Sequence, residues 1–317
     1  MSERNSDKDK TCSPGCCQPV VNLTSIDSQT GSENDFFPPS KAWVSGTIST
    51  NAGEITVVKT DLSNSDRIGT YLARWGINRM NFRVRPGLYA AGAPDEKSPV
   101  FVSANYKMSF DKLRSQLGGI DAWLLVLDTR GINVWCAAGK GTFGTDEIIR
   151  QIENVKLTDI VAHRRIILPQ LGAPGVKAHE VKKRSGFRVI YGPVRASDIP
   201  SFLRAGMKAT AEMRRVKFSF RDRLALIPND LIAYAKYSLA AAALFFLLSG
   251  FGLDIYSADR LLTHGLTSAI LILIIYLAGI CLPISLLPWL PGRSFSVKGM
   301  WIGLGVAAGI AWFSPGS

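Results

Sequence analysis

Trp123-Leu124-Leu125-Val126-Leu127-Asp128 is the stretch on which the fold turns. An unbroken apolar run that ends on a carboxylate reads as a strand buried on both faces, as in a parallel sheet covered by helices. The chain continues Thr129-Arg130-Gly131-Ile132-Asn133-Val134-Trp135-Cys136-Ala137-Ala138-Gly139-Lys140-Gly141-Thr142-Phe143-Gly144. Thr145-Asp146-Glu147 then opens a helix, with Thr145 placed to cap it and two carboxylates at the positive end of its dipole. In an open parallel sheet, ligands bind at the carboxyl edge of the strands, which is where residues 129–144 fall.

Working outward, Val100–Val102, Ile166–Leu168 and Phe187–Tyr191 are further apolar runs of strand length. Between the first of these and Trp123, residues Phe110, Leu113 and Leu117 share one helical stripe. Asp198–Met207 reads as a closing helix with Asp198 as its cap. Strand and helix alternate, so residues 41–225 are expected to form an α/β, Rossmann-like domain on a parallel sheet with right-handed crossovers. Residues 1–40 are polar and rich in Ser, Asp, Gly and Pro and read as a disordered tail that carries Cys12, Cys16 and Cys17.

Hydrophobic residues make up 47% of the 317 and charged residues 20%, too apolar for an ordinary soluble enzyme and too charged for a pure membrane protein. The average hides two halves. Residues 237–317 hold only Asp254, Asp259, Arg260, Arg293 and Lys298, a net +1, which leaves +11 of the whole-chain +12 on the first 236 residues. Within a region 226–317, apolar stretches near 237–253, 265–287 and 299–317 approach the length that crosses a bilayer. The excess of Lys and Arg from Arg204 to Arg223 lies just before them. It reads as a juxtamembrane contact with lipid headgroups rather than a nucleic-acid surface. The same charge bias puts the α/β domain in the cytoplasm, on a multi-pass inner-membrane protein. MSERNSDKDK has no apolar core of a signal peptide. Five cysteines, odd in number and unevenly placed, do not form a disulfide framework.

Three readings of residues 129–144 arise from the residues alone. Gly139-Lys140-Gly141-Thr142-Phe143-Gly144 satisfies G-x-G-x-x-G, but its first glycine stands well beyond the strand end, where a dinucleotide turn needs it. A P-loop requires Ser or Thr after Lys140 and glycine at position 134, and both are missing. Cys136 and Trp135 also read as ordinary core, the commoner fate of a lone Cys on an apolar segment; Trp135 in particular is expected in the core.

Asn133-Val134-Trp135-Cys136-Ala137-Ala138-Gly139-Lys140 closely resembles the helix signature of the mercury-methylating corrinoid proteins (HgcA type). The resemblance covers most of residues 80–225. It includes Pro86-Gly87-Leu88-Tyr89-Ala90-Ala91-Gly92-Ala93-Pro94, Pro99–Lys107, His163-Arg164-Arg165, Leu168–Val176 and Tyr191-Gly192-Pro193-Val194-Arg195. It extends to the corrinoid-binding part of the large subunit of corrinoid iron–sulfur proteins. Members usually carry more spans than the three found here, so the chain is a fragment or the family varies.

The resemblance implies a corrinoid cofactor (cobalamin or a relative) with Cys136 as lower axial ligand of its cobalt. It implies transfer of a methyl group from methyl-Co(III) to Hg(II), giving methylmercury. His163, His179 and His264 fit no Asp-x-His-x-x-Gly pattern, and a thiolate is a soft, electron-rich alternative donor. Asn133 either caps the helix or bonds near the thiolate. Val134 and Trp135 flank it. Ala137, Ala138 and Gly139 either admit a flat macrocycle or serve helix packing. Lys140 supports the thiolate, binds a corrin side chain or is solvated. Ser103 and Asn105 at the end of a neighbouring strand, and Gln170 and Gly172 on a Gly/Pro loop, complete the expected corrin contacts. No four-cysteine iron–sulfur pattern occurs, so a ferredoxin-like partner is implied as reductant and a methyltransferase using methylated folate as donor. Cys12, Cys16 and Cys17 either capture Hg(II) or belong to an incidental tail. Two other functions stay open: a corrinoid methyl carrier of one-carbon metabolism, and a non-catalytic membrane module that binds cobalamin.

Overall fold

The computed structural model describes residues 42–252 and 255–313. The expected tail and Cys12, Cys16 and Cys17 lie outside the described residues. The chain divides into two compact units, one of residues 78–216 with the segment up to Thr70, the other of residues 71–77 and 217–317.

The first unit is built on a seven-stranded sheet. A hairpin of β1 (Val44–Thr50) and β2 (Gly53–Val58) is followed by α1 (Asn64–Arg74), β3 (Gly87–Ala91), β4 (Val100–Ala104), α2 (Lys107–Arg114) and β5 (Ala122–Leu127). Then come α3 (Val134–Lys140), α4 (Thr145–Asn154), α5 (Leu157–Ile160), β6 (Arg165–Leu168), α6 (Ala178–Ser185), β7 (Arg188–Tyr191) and α7 (Ile199–Arg204). The strand order is β1-β2-β3-β5-β4-β6-β7. Strands β5, β4, β6 and β7 run parallel. The sheet is thus α/β and mostly parallel, as expected. It departs from a purely parallel sheet at β3, which runs antiparallel to β5, and at the β1–β2 hairpin. The chain passes from β4 out to β5 and back across to β6 on the other side of β4. That reversal is a topological switch point between β4 and β6, and the carboxyl ends at such a point are the usual ligand position in open α/β sheets.

Every residue of β4 and β5 is buried, which explains their unbroken apolar sequences. Alternate residues serve opposite faces. Val100, Val102, Ala104, Trp123, Leu125 and Leu127 pack beneath α3–α6. Phe101, Leu124 and Val126 pack with Phe110, Leu113, Leu117, Ile199 and Phe202 on the other face. Each fully buried Leu or Phe contributes roughly 1.5–3 kcal/mol relative to exposure.

The second face also holds four buried ionic side chains. Lys107 Nζ lies 2.6 Å from Asp66 Oδ1 and 2.7 Å from Asp111 Oδ2. Arg114 reaches Asp66 through Nη2 at 2.8 Å and Asp111 through Nε at 2.8 Å, and donates from Nη1 to the Lys59 and Asp61 carbonyls. Burial alone would raise the Asp66 carboxyl. Hydrogen bonds from Lys107 and Ser63, with the charges of Lys107 and Arg114, outweigh it and hold the group well below the usual carboxylate range.

Two expected caps are corrected. Gly144, not Thr145, occupies the N-cap of α4, and the Thr145 hydroxyl instead accepts from the Lys177 amide at 2.9 Å. Asp198 stands at the N-cap of α7 but makes no side-chain cap bond, because residues 196–198 already form a 3₁₀ turn leading into the helix.

The second unit contains α8 (Phe220–Leu224), α9 (Ile227–Leu248), a two-residue strand pair β8 (Phe251–Gly252) and β9 (Ile255–Tyr256), α10 (Ala258–Arg260), α11 (Leu266–Leu286) and α12 (Phe295–Phe313). Three of its helical segments, Phe220–Leu248, Ala258–Leu286 and Phe295–Trp312, are long and apolar enough to cross a membrane. The first helix starts earlier than the stretch 237–253 and ends at Leu248. Asp230 and Lys236 mask its first turns in a hydropathy reading, and the chain leaves the helix at Ser249-Gly250. The third likewise begins before 299, with Lys298 in its first turn. Tyr276 of α11 donates to the Leu231 carbonyl of α9, tying those two helices together.

Candidate functional site

Thr129–Asn133 turns the chain from the carboxyl end of β5 into α3. Arg130 and Gly131 are both left-handed, with φ of 58° and 72°, a conformation glycine adopts without penalty. Asn105, at the end of β4 and fully buried, holds this turn. Its Oδ1 accepts from the Thr129 amide at 3.1 Å, the Thr129 hydroxyl at 2.9 Å and the Gly131 amide at 2.9 Å, while Nδ2 donates to Asp128 Oδ1 at 3.1 Å. The Ile132 carbonyl, 2.6 Å from Thr129 Oγ1, is an alternative acceptor for that single hydroxyl proton. From the other side Glu147 Oε1 accepts from the Asp128 amide at 2.8 Å. One neutral amide and one carboxylate thus fix where the helix begins.

Asn133 caps α3, its Oδ1 accepting from the Cys136 amide at 3.0 Å. Gly141 ends the helix in the left-handed region at φ 81°. The short helix is amphipathic in a strict sense. Val134, Ala137 and Ala138, at spacing i, i+3, i+4, are buried toward the sheet. Trp135, Gly139 and Lys140 are exposed and Cys136 is half-buried. Trp135 is 61% exposed, which corrects its expected place in the core. The reason is phase: the cap at Asn133 turns Val134 inward and Trp135 outward.

The turn after β6, Gln170–Gly175, packs on α3. A side chain at Gly175 would meet the Phe143 carbonyl at 2.3 Å and Ala138 Cα at 3.0 Å. One at Gly172 would meet the Phe143 ring at 2.5 Å. These glycines, with Ala137 and Ala138, are small because backbone and ring approach closely there. Tyr191 at the end of β7 donates to the Val176 carbonyl at 3.1 Å, and burial pushes its phenol up.

The expected corrin contacts therefore divide. Cys136, Gly139, Lys140 and Trp135 lie on the outward side of α3. Gln170 is half-buried on the neighbouring turn. Asn133 caps. Val134, Ala137, Ala138, Ser103 and Asn105 are buried, and Gly172 is filled against Phe143. Asn105 belongs to the framework of the loop rather than to its surface. Asp128, Thr129, Gly131, Glu147 and Phe143 are part of the same framework; the sequence marks Glu147 only as a first-turn carboxylate of α4 and names none of the five as a site residue. The alternating Asp128-Thr129-Arg130-Gly131 turn signal was the one hint.

A close-fitting flat ligand requires an open helix face. A Cβ built on Gly139 meets no described atom within 4 Å, so the helix surface is open at that position. His163 lies before β6 at the opposite edge of the sheet, against the Ser98 carbonyl. His179 is exposed beside Glu180. Gly139 sits within α3, not at a strand-to-helix turn, and this removes the dinucleotide reading.

The fold defines an α/β unit on a mostly parallel sheet, with Cys136 on the short helix that follows the carboxyl end of β5. Residues 77–203 match the family described as CO dehydrogenase/acetyl-CoA synthase delta subunit. The chain is 35% identical over 122 residues to the acetyl-CoA decarbonylase/synthase complex subunit gamma of Methanopyrus kandleri, covering 38% of this chain and 26% of that one. It is 34% identical over 127 residues to the corrinoid/iron-sulfur protein large subunit of Moorella thermoacetica, covering 39% and 28%. The chain thus spans about a quarter of the length of these curated relatives. The α/β unit is related in sequence to corrinoid-protein subunits, and the three apolar helices of residues 217–317 lie outside the family match.

Proposed function

We propose that the α/β unit binds a corrinoid whose cobalt Cys136 would ligate, and that the protein carries a methyl group to Hg(II). The observation that carries the corrinoid reading is the presentation of Cys136. It stands half-buried on the outer side of a capped seven-residue helix, beside the open surface at Gly139, on the ligand-binding edge of a unit related to corrinoid-protein subunits. A bound corrinoid supplies a cobalt that accepts and releases a methyl group.

The protein's own residues act around that centre. Asn133 sets the start of the helix and so the position of the Cys136 Sγ. Asn105 and Glu147 hold the turn that precedes it. Gly139 leaves room for a ring. The exposed Trp135 and Lys140 and the half-buried Gln170 offer an apolar flank, a cation and an amide to the edge of the macrocycle. Hg(II) as acceptor rests on the resemblance of residues 133–140 to the mercury-methylating proteins. A soft thiolate donor favours transfer to an electrophile. A ferredoxin-like iron–sulfur protein as reductant and a methylated-folate methyltransferase as donor complete the scheme. Capture of Hg(II) by Cys12, Cys16 and Cys17 falls outside the described residues.

A second reading is favoured by the names of the relatives, which belong to acetyl-CoA-forming or corrinoid/iron–sulfur systems. In it the carrier serves one-carbon metabolism and mercury is incidental. The test uses the full chain in detergent, loaded anaerobically with cobalamin and a labelled methyl group. Methylmercury formation with Hg(II), exceeding transfer to thiol acceptors, supports the first reading. Transfer only to the other acceptors supports the second. Corrinoid binding with no transfer to any acceptor contradicts both and leaves a binding module.

A further inference from the structure

Within the second unit, α8 is a short helix just ahead of α9, closed by a capping box in which the Ser219 hydroxyl and the Asp222 carboxylate bond each other's backbone amides. The box fixes the helix phase and turns Arg223 inward. Arg223 is 8% exposed, and its guanidinium carbon lies 5.6 Å from the centre of the Phe220 ring and 5.2 Å from that of Trp289. The two rings are 6.3 Å apart and splayed at 57°. Arg223 Nε is buried and has no hydrogen-bond partner among the described residues. No carboxylate pairs with this guanidinium among the described ion pairs. Asp222 is engaged in the capping box, and Asp230 accepts from Asn229.

A buried donor without a partner needs an explanation, and an unseen ligand is the direct one. The surroundings say which. Lys217, Arg221 and Arg223 precede the first long helix, and Arg293 and Lys298 flank the start of the third. Lys298 Nζ donates to the Leu287 carbonyl at 2.7 Å, and Arg223 packs on Trp289 two residues further on, so both groups of basic residues have a member at the turn between the second and third apolar helices. Phe220 and Trp289 are themselves substantially exposed, 45% and 66%. Aromatic rings at the ends of membrane helices sit at headgroup level, and basic residues there meet anionic phosphates.

We propose that Arg223, clamped between Phe220 and Trp289, binds the phosphate of an anionic phospholipid, whose acyl chains lie along the adjoining apolar helices. The guanidinium supplies the charge and the directed N–H donors. The two rings hold it in place and shield it.

The test places the full chain in nanodiscs of phosphatidylcholine with a minor fraction of phosphatidylglycerol, and counts retained lipids by native mass spectrometry. The wild type should retain phosphatidylglycerol over phosphatidylcholine by about fivefold beyond its share. Arg223→Gln should abolish that preference, and the exposed neighbour Arg221→Gln should keep most of it. Equal retention in Arg223→Gln, or an equal loss in Arg221→Gln, overturns the site. Should Arg223→Gln fail to fold, Trp289→Leu decides, since it leaves every charge in place: lowered preference supports the clamp and unchanged preference overturns it. Free glycerol phosphate added to phosphatidylcholine nanodiscs should not displace or mimic the lipid. Saturable binding of it at Arg223 would mean a soluble phosphate site and overturn the lipid.

Discussion

On one face of the sheet Val100, Val102, Leu125 and Leu127 lie under α3–α6 and the Cys136 helix. On the other, Phe101, Leu124 and Val126 lie under α2 and α7, beside four buried ions. The strands are shared, yet the polar groups are held by different means. The ionic face encloses Asp66, Lys107, Asp111 and Arg114 as two cations against two anions, each ion with more than one partner. The site face uses neutral or single-carboxylate contacts, Asn105 and Glu147, to shape a turn. A closed ionic network is costly to break because what remains is an unpaired buried charge. A neutral clamp costs less to lose, but its loss displaces the helix that it positions.

The largest effect should come from opening the ionic face. Arg114→Met leaves Asp66 and Asp111 to share Lys107 alone, so that one buried negative charge is uncompensated, and should cost about 3–5 kcal/mol, read as a lower urea midpoint of the α/β unit, with no direct change at Cys136. The same face should make the unit acid-sensitive. The Asp66 carboxyl is depressed in the folded state, so its contribution is present above the unfolded carboxylate value near pH 4 and is lost progressively as the pH falls through and below that value. Urea midpoints measured from pH 7 down to pH 3 should fall in the wild type more steeply than in Asp66→Asn. Parallel slopes would mean that the network does not carry the acid response.

Asn105→Ala should have an intermediate effect, about 1–3 kcal/mol, because the Thr129 and Gly131 amides lose their buried acceptor. Unlike Arg114→Met, it should also weaken corrinoid loading, measured as bound cobalt per chain. Loss of stability with unchanged loading would break the distinction between the two faces. Asn133→Ala removes only the cap and should cost about 1 kcal/mol, again with reduced loading in a urea titration and cobalt assay run side by side. Cys136→Ala should be the smallest change in stability, within about 0.5 kcal/mol for a partly exposed side chain, while removing the proposed ligand altogether.

The two faces also differ in how far the sequence discloses them. The parallel strands announce themselves, since burial on both faces leaves Val100–Val102 and Trp123–Leu127 without polar interruptions. The edge strand β1, VSGTIST, does not, because most of it is exposed and its composition resembles a loop. The string Asn133–Lys140 marks the site helix, and the cap at Asn133 follows from residue type. Trp135 was misjudged because apolar character says nothing of helical phase. That phase depends on the cap, which turns Val134, Ala137 and Ala138 inward. Asn105 stands far from Thr129 and Gly131 in sequence, and only the β4–β5 pairing brings them together. The ion network is hidden for the same reason: Asp66 lies on α1, more than forty residues before the α2 side chains that it pairs with.

Cobalt K-edge X-ray absorption of the cobalamin-loaded full chain, kept anaerobic and compared with Cys136→Ala, tests most directly whether Cys136, carried outward on α3, is the proposed cobalt ligand. A sulfur scatterer in the first shell of the wild type that disappears in the variant is the predicted result. A first shell of nitrogen and oxygen alone in both proteins, with cobalt still bound, would contradict it.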